Sequence, residues 1–254
     1  MSPALGNAIV TGAAQGIGRS IALRLASDGF NVAVNDIPEK SAELDSLVDE
    51  IRRKGRKCLK HEGDVSQDNT VKDMIEAVVG QYGSLDVMVA NAGIAGPYRK
   101  KITEVTAEQF DQVMAVNTRS TFLCYKFAGL QMIKQGGGGR IIGACSIAGK
   151  KAMPSQAPYS ASKFAVRGLT QAAALEFGSH GITVNAYAPG AINTPMLRAP
   201  AKSQEESDTM MERFKQMSPL HMLGSPEDIS NLVSFLASKD SQFITGSNGG
   251  IFFD

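Results

Sequence analysis

The chain has 254 residues, of which 43% are hydrophobic and 20% are charged, and this balance predicts one globular domain, 1–254, with a sizeable core. The net charge is +1 with acids and bases interspersed, which argues against nucleic acid or a membrane surface as partners. The first residues show no basic or apolar leader, no apolar run approaches a membrane span, and the 3 cysteines lack metal-ligand spacing, so we expect a cytoplasmic protein with reduced cysteines and no metal.

The first predicted strand, residues 7–11, runs directly into a cluster of glycines and then into an amphipathic helix pattern that ends near Asp28. A strand, loop and helix in this order leave backbone N–H groups at a helix N-terminus, and glycines let a pyrophosphate approach the backbone. A glycine cluster alone also occurs in many tight turns. The candidate cofactor-binding residues of this loop are Gly12, Gln15, Gly16, Ile17 and Gly18.

The second predicted strand begins at Phe30 and ends in Asp36, which lies 18 residues after Gly18. A dinucleotide fold places the acid that binds the adenine ribose hydroxyls at about this position. A carboxylate there would repel a 2'-phosphate, and no arginine adjoins it in the sequence Asp36-Ile37-Pro38. The pattern therefore predicts NAD rather than NADP as the cofactor.

The alternation of strands and helices continues through the first half of the chain. A charged helix is predicted near 39–54, a strand near 57–61, a helix at 67–82 and a fourth strand at 85–90. This repetition predicts an α/β fold, a doubly wound parallel sheet of about seven strands with helices on both faces.

Two further loops follow predicted strands in this half. Asp64 and Val65 come after the third strand, where Asp64 could either be a helix-capping residue or accept a hydrogen bond from adenine. Asn91, Ala92 and Gly93 come after the fourth strand, and small residues there would let a cofactor lie across the strand end. We include all five among the candidate cofactor-binding residues.

A long helix is predicted at 107–135, and its apolar stripe consists of Phe110, Val113, Met114, Leu123, Phe127 and Leu130. Asn117 interrupts the stripe, and a buried asparagine in a helix is ordinarily just a satisfied polar group. A glycine linker, 136–139, then leads into the fifth strand, which ends in Ser146. A serine at a strand end is well placed to hydrogen-bond a substrate oxygen.

The helix predicted next, to about Gly178, carries Tyr159 and Lys163 four residues apart on one face. A tyrosine acid or base near neutral pH needs its pKa lowered by about three units, or roughly 4 kcal/mol. An ammonium about 4 Å from the phenolate could supply roughly that much at an intermediate dielectric. The same spacing also occurs as an ordinary amphipathic helix pair, so the pattern alone does not distinguish the two.

The remaining elements are a strand at 181–188, a helix at 226–236, and a last strand and turn at 244–250. The segment of about 192–224 between them is charged, rich in methionine and punctuated by prolines. We interpret it as a mobile substrate lid.

Five motifs in register resemble those of the short-chain dehydrogenase/reductase family: the 11–18 glycine segment, Asn91-Ala92-Gly93, Ser146, Tyr159-x-x-x-Lys163 and Pro189-Gly190. The resemblance implies a Rossmann-type fold and a catalytic set of Ser146, Tyr159, Lys163 and Asn117. In the family the asparagine holds a water that continues a proton path from the lysine. The chain departs from the family at Ala90 and Asn248, where asparagine and aspartate are usual.

The resemblance further implies that Tyr159, Lys163, Pro189, Gly190, Ile192 and Thr194 join the cofactor-binding residues, with Thr194 contacting the nicotinamide carboxamide. It also implies a homo-oligomer, a dimer or tetramer, associated through the two long helices at about 107–135 and 157–178.

The leading hypothesis is an NAD(H)-dependent oxidoreductase that interconverts a secondary alcohol and a ketone. Residues 144–146 and 162–171 look most like diacetyl and acetoin reductases, the butanediol dehydrogenases, which is the alternative within the family. A non-catalytic NAD-binding sensor on the same fold is the alternative of another class. A hydrolase fits less well, because His61, His180 and His221 lie at no family catalytic position and Ser146 lacks a G-x-S-x-G motif.

The residues that flank the catalytic groups are mostly apolar and predict a pocket for an apolar, cyclic or terpenoid-like secondary alcohol. A branched aliphatic beside the catalytic serine cannot hydrogen-bond a second substrate oxygen, and burying a hydroxyl without a partner costs roughly 1–3 kcal/mol. The alternative is that these side chains merely fill the core. The candidate pocket residues are Ile94, Ala95, Ile147, Met153, Met196 and Leu197.

Overall fold

The computed structural model describes residues 3–250, so the predicted domain ends at residues 1 and 254 lie outside the described range. Seven parallel strands form one sheet in the order β3-β2-β1-β4-β5-β6-β7. The strands are β1 (Asn7–Thr11), β2 (Asn31–Asp36), β3 (Cys58–Glu62), β4 (Val87–Ala90), β5 (Gly139–Ala144), β6 (Ile182–Ala188) and β7 (Asn248–Gly250). The predicted fold class is confirmed.

Helices connect successive strands. They are α1 (Gly16–Asp28), α2 (Ser41–Arg53), α3 (Asp68–Tyr82), α4 (Ala107–Val113), α5 (Ser120–Gln135), α6 (Ala157–Phe177), α7 (Pro195–Arg198), α8 (Gln204–Met217) and α9 (Pro226–Ala237). Short 3₁₀ turns occur at Pro38–Lys40, Ile102–Glu104, Ile147–Gly149, Gly178–His180 and Lys239–Ser241. Among residues 3–250, no helix is long and apolar enough to cross a membrane.

The core is divided by the sheet into two layers. Successive residues of a strand point to opposite faces, so Ile9 and Val10 of β1 enter different layers. On one face, α1, α2 and α9 cover the sheet, and on the other face α3, α5 and α6 cover it. Cys58, Cys124 and Cys145 are free and buried, as the sequence predicts.

The order of the strands reverses at β1, which pairs with both β2 and β4. In an open parallel sheet the ligand crevice forms at such a reversal, outside the carboxyl ends of the strands. The predicted site residues after β1, β2, β4, β5 and β6 therefore share one edge of the sheet.

The predicted long helix at 107–135 is not uniform. Residues Met114–Arg119, which include Asn117, form a π-helical segment between α4 and α5. Such segments widen a helix locally and are frequent at functional sites. The stripe is also only partly buried, because Val113 and Leu123 lie in the core whereas Phe110 is 41% and Leu130 is 56% exposed.

One other predicted element differs from the structure. The last strand is Asn248–Gly250 rather than a strand from Ile244, because the left-handed Gly246 (φ 71°) precedes the ladder and side chains of β6 hold the residues before it. Asn185, for example, donates to the carbonyl of Ile244 at 2.8 Å. The predicted lid, 192–224, contains α7 and α8; its mobility stays a prediction.

Candidate active site

The glycine loop after β1 is bonded directly to the end of β4. A Cβ built on Gly18 would lie 2.1 Å from the carbonyl oxygen of Gly12, so the close approach of helix α1 to this loop requires glycine. The Asn91 amide donates to the carbonyls of Thr11 at 2.9 Å and Gly12 at 3.0 Å. Asn91 therefore fixes the loop, while Gln15 is exposed and Ile17 is partly buried at its rim.

Asp36 lies at the carboxyl end of β2, beside the same loop. Its Oδ2 accepts from the N–H of Ala14 at 3.0 Å, and its Oδ1 accepts from the N–H of Ile37 at 3.0 Å. Each carboxylate oxygen has a second lone pair, so the group can still accept hydrogen bonds from two hydroxyls. Lys40, the nearest following cation, forms an ion pair with Glu43 at 2.8 Å.

Asp64 shapes the turn before α3. Its carboxylate accepts from the N–H of Ser66 at 2.9 Å and from the hydroxyl of Ser66 at 2.8 Å. Asp64 therefore forms a turn and is not the capping residue of α3, because the N-cap position is occupied by Gln67. A contact with adenine stays a prediction. Val65 is buried beside it.

Ser146 lies two residues after β5 and caps the turn Ile147–Gly149. Its hydroxyl accepts from the N–H of Ala148 at 3.1 Å, and the N–H of Ile147 donates to the carbonyl of Pro189 at 3.1 Å. Burial raises the pKa of Tyr159, and a hydrogen bond with Ser146 opposes that rise. The structure therefore brings Ser146 and Tyr159 together, as predicted.

Lys163 projects from the same face of α6 as Tyr159 and is only 4% exposed. Its Nζ donates to the carbonyl of Ala144 at 2.8 Å and lies 5.5 Å from the centroid of the Tyr159 ring. Burial lowers the pKa of Lys163 to about 8. In the protein alone burial penalises the phenolate and the net shift of the Tyr159 pKa is upward. A lowering of that pKa by Lys163 stays a prediction.

Asn117 holds the loop after β4 against α6. Its amide donates to the carbonyl of Ile94 at 2.9 Å and to the Ser162 hydroxyl at 3.0 Å, and its Oδ1 accepts from the N–H of Ile94 at 2.8 Å. Both amide hydrogens are thus used. A Cβ on Gly93 would lie 3.2 Å from Asn117 Oδ1 and 3.5 Å from Lys163 Nζ, so the glycine leaves the space between these groups open.

The segment after β6 returns to the glycine loop. Ile192 is buried and pairs with Gly224 in an isolated bridge. Thr194 donates to the carbonyl of Ile192 at 3.3 Å, and a Cβ on Gly16 would lie 3.4 Å from the Thr194 methyl group. Thr194 therefore lies beside the glycine loop, whereas Pro189 is bonded to the turn after Ser146.

The predicted pocket residues do not form one continuous wall. Ile94, Ala95, Ile147 and Leu197 are partly buried, whereas Met196 is exposed. Met153 instead lines an open cleft of about 630 Å³ with Ile102, Pro154 and Phe164, among others, and no other predicted pocket residue borders that cleft. The apolar-pocket hypothesis thus rests on the residues that adjoin Ser146 and Gly93.

Two supporting residues were missed in the sequence. The Tyr187 hydroxyl on β6 donates to Asn91 Oδ1 at 2.7 Å, and the Ser162 hydroxyl donates to the carbonyl of Tyr159 at 2.7 Å. The sequence predicts only that Tyr187 is a buried strand residue and gives no sign that its hydroxyl binds Asn91. Ser162 lies inside the Tyr-x-x-x-Lys motif, which was the available signal.

The strand order of the parallel sheet reverses at β1, and the glycine loop lies at that point. Together with the Ser-Tyr-Lys group at the same edge, this arrangement defines a dinucleotide-binding protein. A family model described as enoyl-(acyl carrier protein) reductase matches residues 12–251. A short-chain dehydrogenase/reductase of Armillaria gallica is 52% identical over 97% of this chain and 96% of its own length. A 3-oxoacyl-[acyl-carrier-protein] reductase, FabG, of Staphylococcus epidermidis is 42% identical over 97% of this chain and 98% of its own.

Solved structures show the same relationship. Levodione reductase superposes with a TM-score of 0.93 at 30% identity, covering 98% of this chain and 97% of that one. Carveol dehydrogenase from Mycobacterium avium, in complex with NAD, superposes with a TM-score of 0.89 at 29% identity over 98% and 96% of the two chains. The chain belongs to the short-chain dehydrogenase/reductase family of oxidoreductases.

Proposed function

We propose that the protein is an NAD(H)-dependent oxidoreductase that interconverts a secondary alcohol and a ketone. The observation that carries the proposal is the meeting of Ser146, Tyr159 and Lys163 beside the glycine loop, with Lys163 buried and its Nζ bonded to the end of β5. A non-catalytic NAD sensor on this fold would have little need for a buried lysine and a serine beside the tyrosine. We therefore favour catalysis over sensing.

The residues of the crevice suit a dinucleotide. The main chain at Gly12–Gly18 offers N–H groups at the start of α1, which suits a pyrophosphate, and Asp36 retains acceptor capacity for the adenine ribose. Asp64, Val65 and Asn91-Ala92-Gly93 would border the adenosine half. Lys163, Pro189, Gly190, Ile192 and Thr194 would border the nicotinamide half. When bound, the nicotinamide supplies or accepts the hydride.

The chain's own residues would handle the oxygen and its proton. Ser146 would hydrogen-bond the carbonyl oxygen, and Tyr159 would give the proton to it or take the proton from an alcohol. Asn117 would keep the Gly93–Ile94 loop beside Lys163, and its Oδ1 keeps a lone pair for a water on the proton path. A positively charged Lys163 would stabilise the tyrosinate that alcohol oxidation requires.

The raised pKa of Tyr159 bears on the direction of the reaction. At neutral pH the phenol is protonated and can act as an acid, which suits ketone reduction. Alcohol oxidation needs the phenolate, so its rate should rise with pH.

For the substrate, we propose an apolar secondary alcohol or its ketone. Ile147 and Ile94 flank the reacting groups, and each additional buried methylene could contribute about 0.8 kcal/mol. The resemblance in structure to a carveol dehydrogenase supports a cyclic terpenoid alcohol as the first compound to test. The 42% identity to a 3-oxoacyl-[acyl-carrier-protein] reductase is a specific reason to test a 3-ketoacyl thioester as well.

The test is a comparison of kcat/KM for three substrates with both NAD(H) and NADP(H). The panel is a cyclic terpenoid alcohol and its ketone, acetoin with butanediol, and a 3-ketoacyl thioester. Highest efficiency with the terpenoid pair and NAD(H) is the expected result. Preference for acetoin would favour the diacetyl reductase alternative, preference for the thioester would make the protein a ketoacyl reductase, and cofactor binding without turnover of a wider alcohol panel would favour the sensor.

We also propose a homo-oligomer associated through α4, α5 and α6. Large apolar side chains are exposed along these helices: Phe110, Phe122, Leu130, Ile133, Phe164 and Leu175, the last of them 86% exposed. Helix faces with this many exposed apolar groups are typical of interaction surfaces. Light scattering at micromolar concentration should give a dimer or tetramer, and Leu130→Glu with Leu175→Glu should shift it towards monomer, whereas Arg53→Glu on α2 should not.

A further inference from the structure

Helix α8, in the predicted lid segment, is bonded to the loop after β4 through two side chains. Its inner side carries Met210 and Met211, which are buried. The Tyr98 hydroxyl donates to the sulfur of Met210 at 3.7 Å, and Arg99 Nη1 lies 2.9 Å from Glu206 Oε1. Among residues 3–250, α8 packs only sparsely against other helices and strands, and one side-chain hydrogen bond joins it to α7, from Arg198 to Ser207 at 3.3 Å.

The loop that fastens α8 begins in the candidate active site. Gly93 lies beside Lys163, and Asn117 binds both backbone polar groups of Ile94. Only three residues separate Ile94 from Tyr98. A short loop therefore joins the residues beneath the substrate to the helix predicted to cover it.

Further contacts hold both Glu206 and Arg99 in position for their ion pair. Glu206 Oε2 accepts from the N–H of Lys202 at 2.9 Å, so its carboxylate also organises the first turn of α8. Arg99 has a left-handed backbone (φ 58°), which is uncommon for a residue with a long side chain, and its guanidinium lies 5.3 Å from the centroid of the Tyr98 ring. The ring and the carboxylate together fix where the guanidinium lies.

We infer that Arg99 and Glu206 are positioning residues that hold α8 against the loop after β4 and thereby set the affinity for the substrate. The ion pair acts together with the neighbouring contact between Tyr98 and Met210. The inference about affinity rests on the proposed function. The inference that the ion pair attaches α8 to the loop is independent of the proposed function, because it is drawn from contacts within the protein.

The experiment is a double-mutant cycle with Arg99→Asn, Glu206→Gln and both changes together. Asparagine tolerates the left-handed backbone, and glutamine can still accept from Lys202, so each change removes mainly the ion pair. Hydrogen exchange of the α8 amides should become about two- to five-fold faster in each single variant, as expected for an exposed pair, and the double variant should add little. The substrate KM should rise by a similar factor while the Kd for the cofactor stays unchanged.

The matched control is Glu212→Gln, which removes an ion pair with Lys215 (3.2 Å) that lies within α8 itself. It should leave both readouts unchanged. High salt should raise hydrogen exchange in the unmodified protein more than in Glu206→Gln, because an exposed ion pair is screened.

Exchange rates that are unchanged or strictly additive in the variants would overturn the inference that the ion pair attaches α8. Coupled exchange without a change in KM would overturn the link to affinity, and a protein without any turnover would instead count against the proposed function.

Discussion

The cofactor side and the substrate side of the crevice are built in different ways. On the cofactor side, the glycine loop, Asn91 and Tyr187 are joined by hydrogen bonds between strand ends, and Gly18 leaves no room for a side chain. On the substrate side, Met196 is exposed and side-chain contacts join α8 to the loop of Tyr98 and Arg99. The first region is thus tied to the sheet by hydrogen bonds between strand ends, whereas the second depends on side-chain contacts between a loop and a helix.

The difference indicates where specificity resides. A dinucleotide has a fixed pyrophosphate and two riboses, so a site made of main-chain groups serves it well. Under the proposed function, the identity of the alcohol would depend on side chains of the loops and of α7 and α8. Substitutions on the cofactor side, on the substrate side and at Tyr159 between them should therefore change different kinetic quantities, and by different amounts.

The largest effect is expected for Tyr159→Phe, at the boundary between the two sides. Loss of the phenolic proton should lower kcat by at least about 10²–10⁴, the range of general acid catalysis, with the Kd for NADH kept within about three-fold. Stopped-flow turnover and NADH fluorescence titration measure the two quantities. Near-normal turnover would make Tyr159 and Lys163 an ordinary helix pair.

Lys163→Met should reveal the cost of burying the ammonium. The folded pKa of about 8 lies below the ordinary 10.5, so the unfolded chain binds more protons between these values and the wild type gains stability as pH rises through them. The difference in unfolding free energy between wild type and variant should therefore shift by about 3 kcal/mol from pH 7 to pH 11.

Urea unfolding at fixed protein concentration, followed by circular dichroism at several pH values, measures this shift. Lys126→Met provides the control, since Lys126 lies on α5 near Phe122 and Phe127 and shares no contact with Tyr159. A difference that stays flat with pH would mean that Lys163 is not destabilised by its surroundings.

The parts of the molecule that the sequence predicts are those whose signals are local. The strands and helices of the first half, the glycine loop and Asp36 lie within short segments, and each is found close to its predicted position. The π-helical segment could not be predicted, because it surrounds an asparagine that binds Ile94 and Ser162, 23 and 45 residues away. The Tyr98–Met210 contact spans 112 residues and has no sequence signature. The direction of the Tyr159 pKa depends on burial, which spacing does not report.

The cofactor side can be probed more finely with Asp36→Asn. Asparagine can keep an acceptor for the N–H of Ala14 but loses the charge that would repel a 2'-phosphate. A hydrogen bond to a charged group contributes about 1.5–3 kcal/mol, so the ratio of kcat/KM for NAD over NADP should fall about 10- to 100-fold. Glu39→Gln, an exposed acid three residues on, should leave the ratio unchanged. An unchanged ratio in Asp36→Asn would remove the argument for NAD.

The smallest effect is expected on the substrate side, at Ile147. Valine and threonine are both β-branched and nearly equal in size, so either should preserve the turn after Ser146 and the bond from the N–H of residue 147 to Pro189. Threonine alone adds a hydroxyl, which can bind a second substrate oxygen but is left without a partner by an apolar substrate, at a cost of roughly 1–3 kcal/mol. Relative to Ile147→Val, Ile147→Thr should therefore lower the kcat/KM ratio of a cyclic terpenoid alcohol over acetoin by about five-fold or more. If the two variants show the same ratio, Ile147 only fills the core, and the identity of the alcohol must be set by residues of α7 and α8 instead.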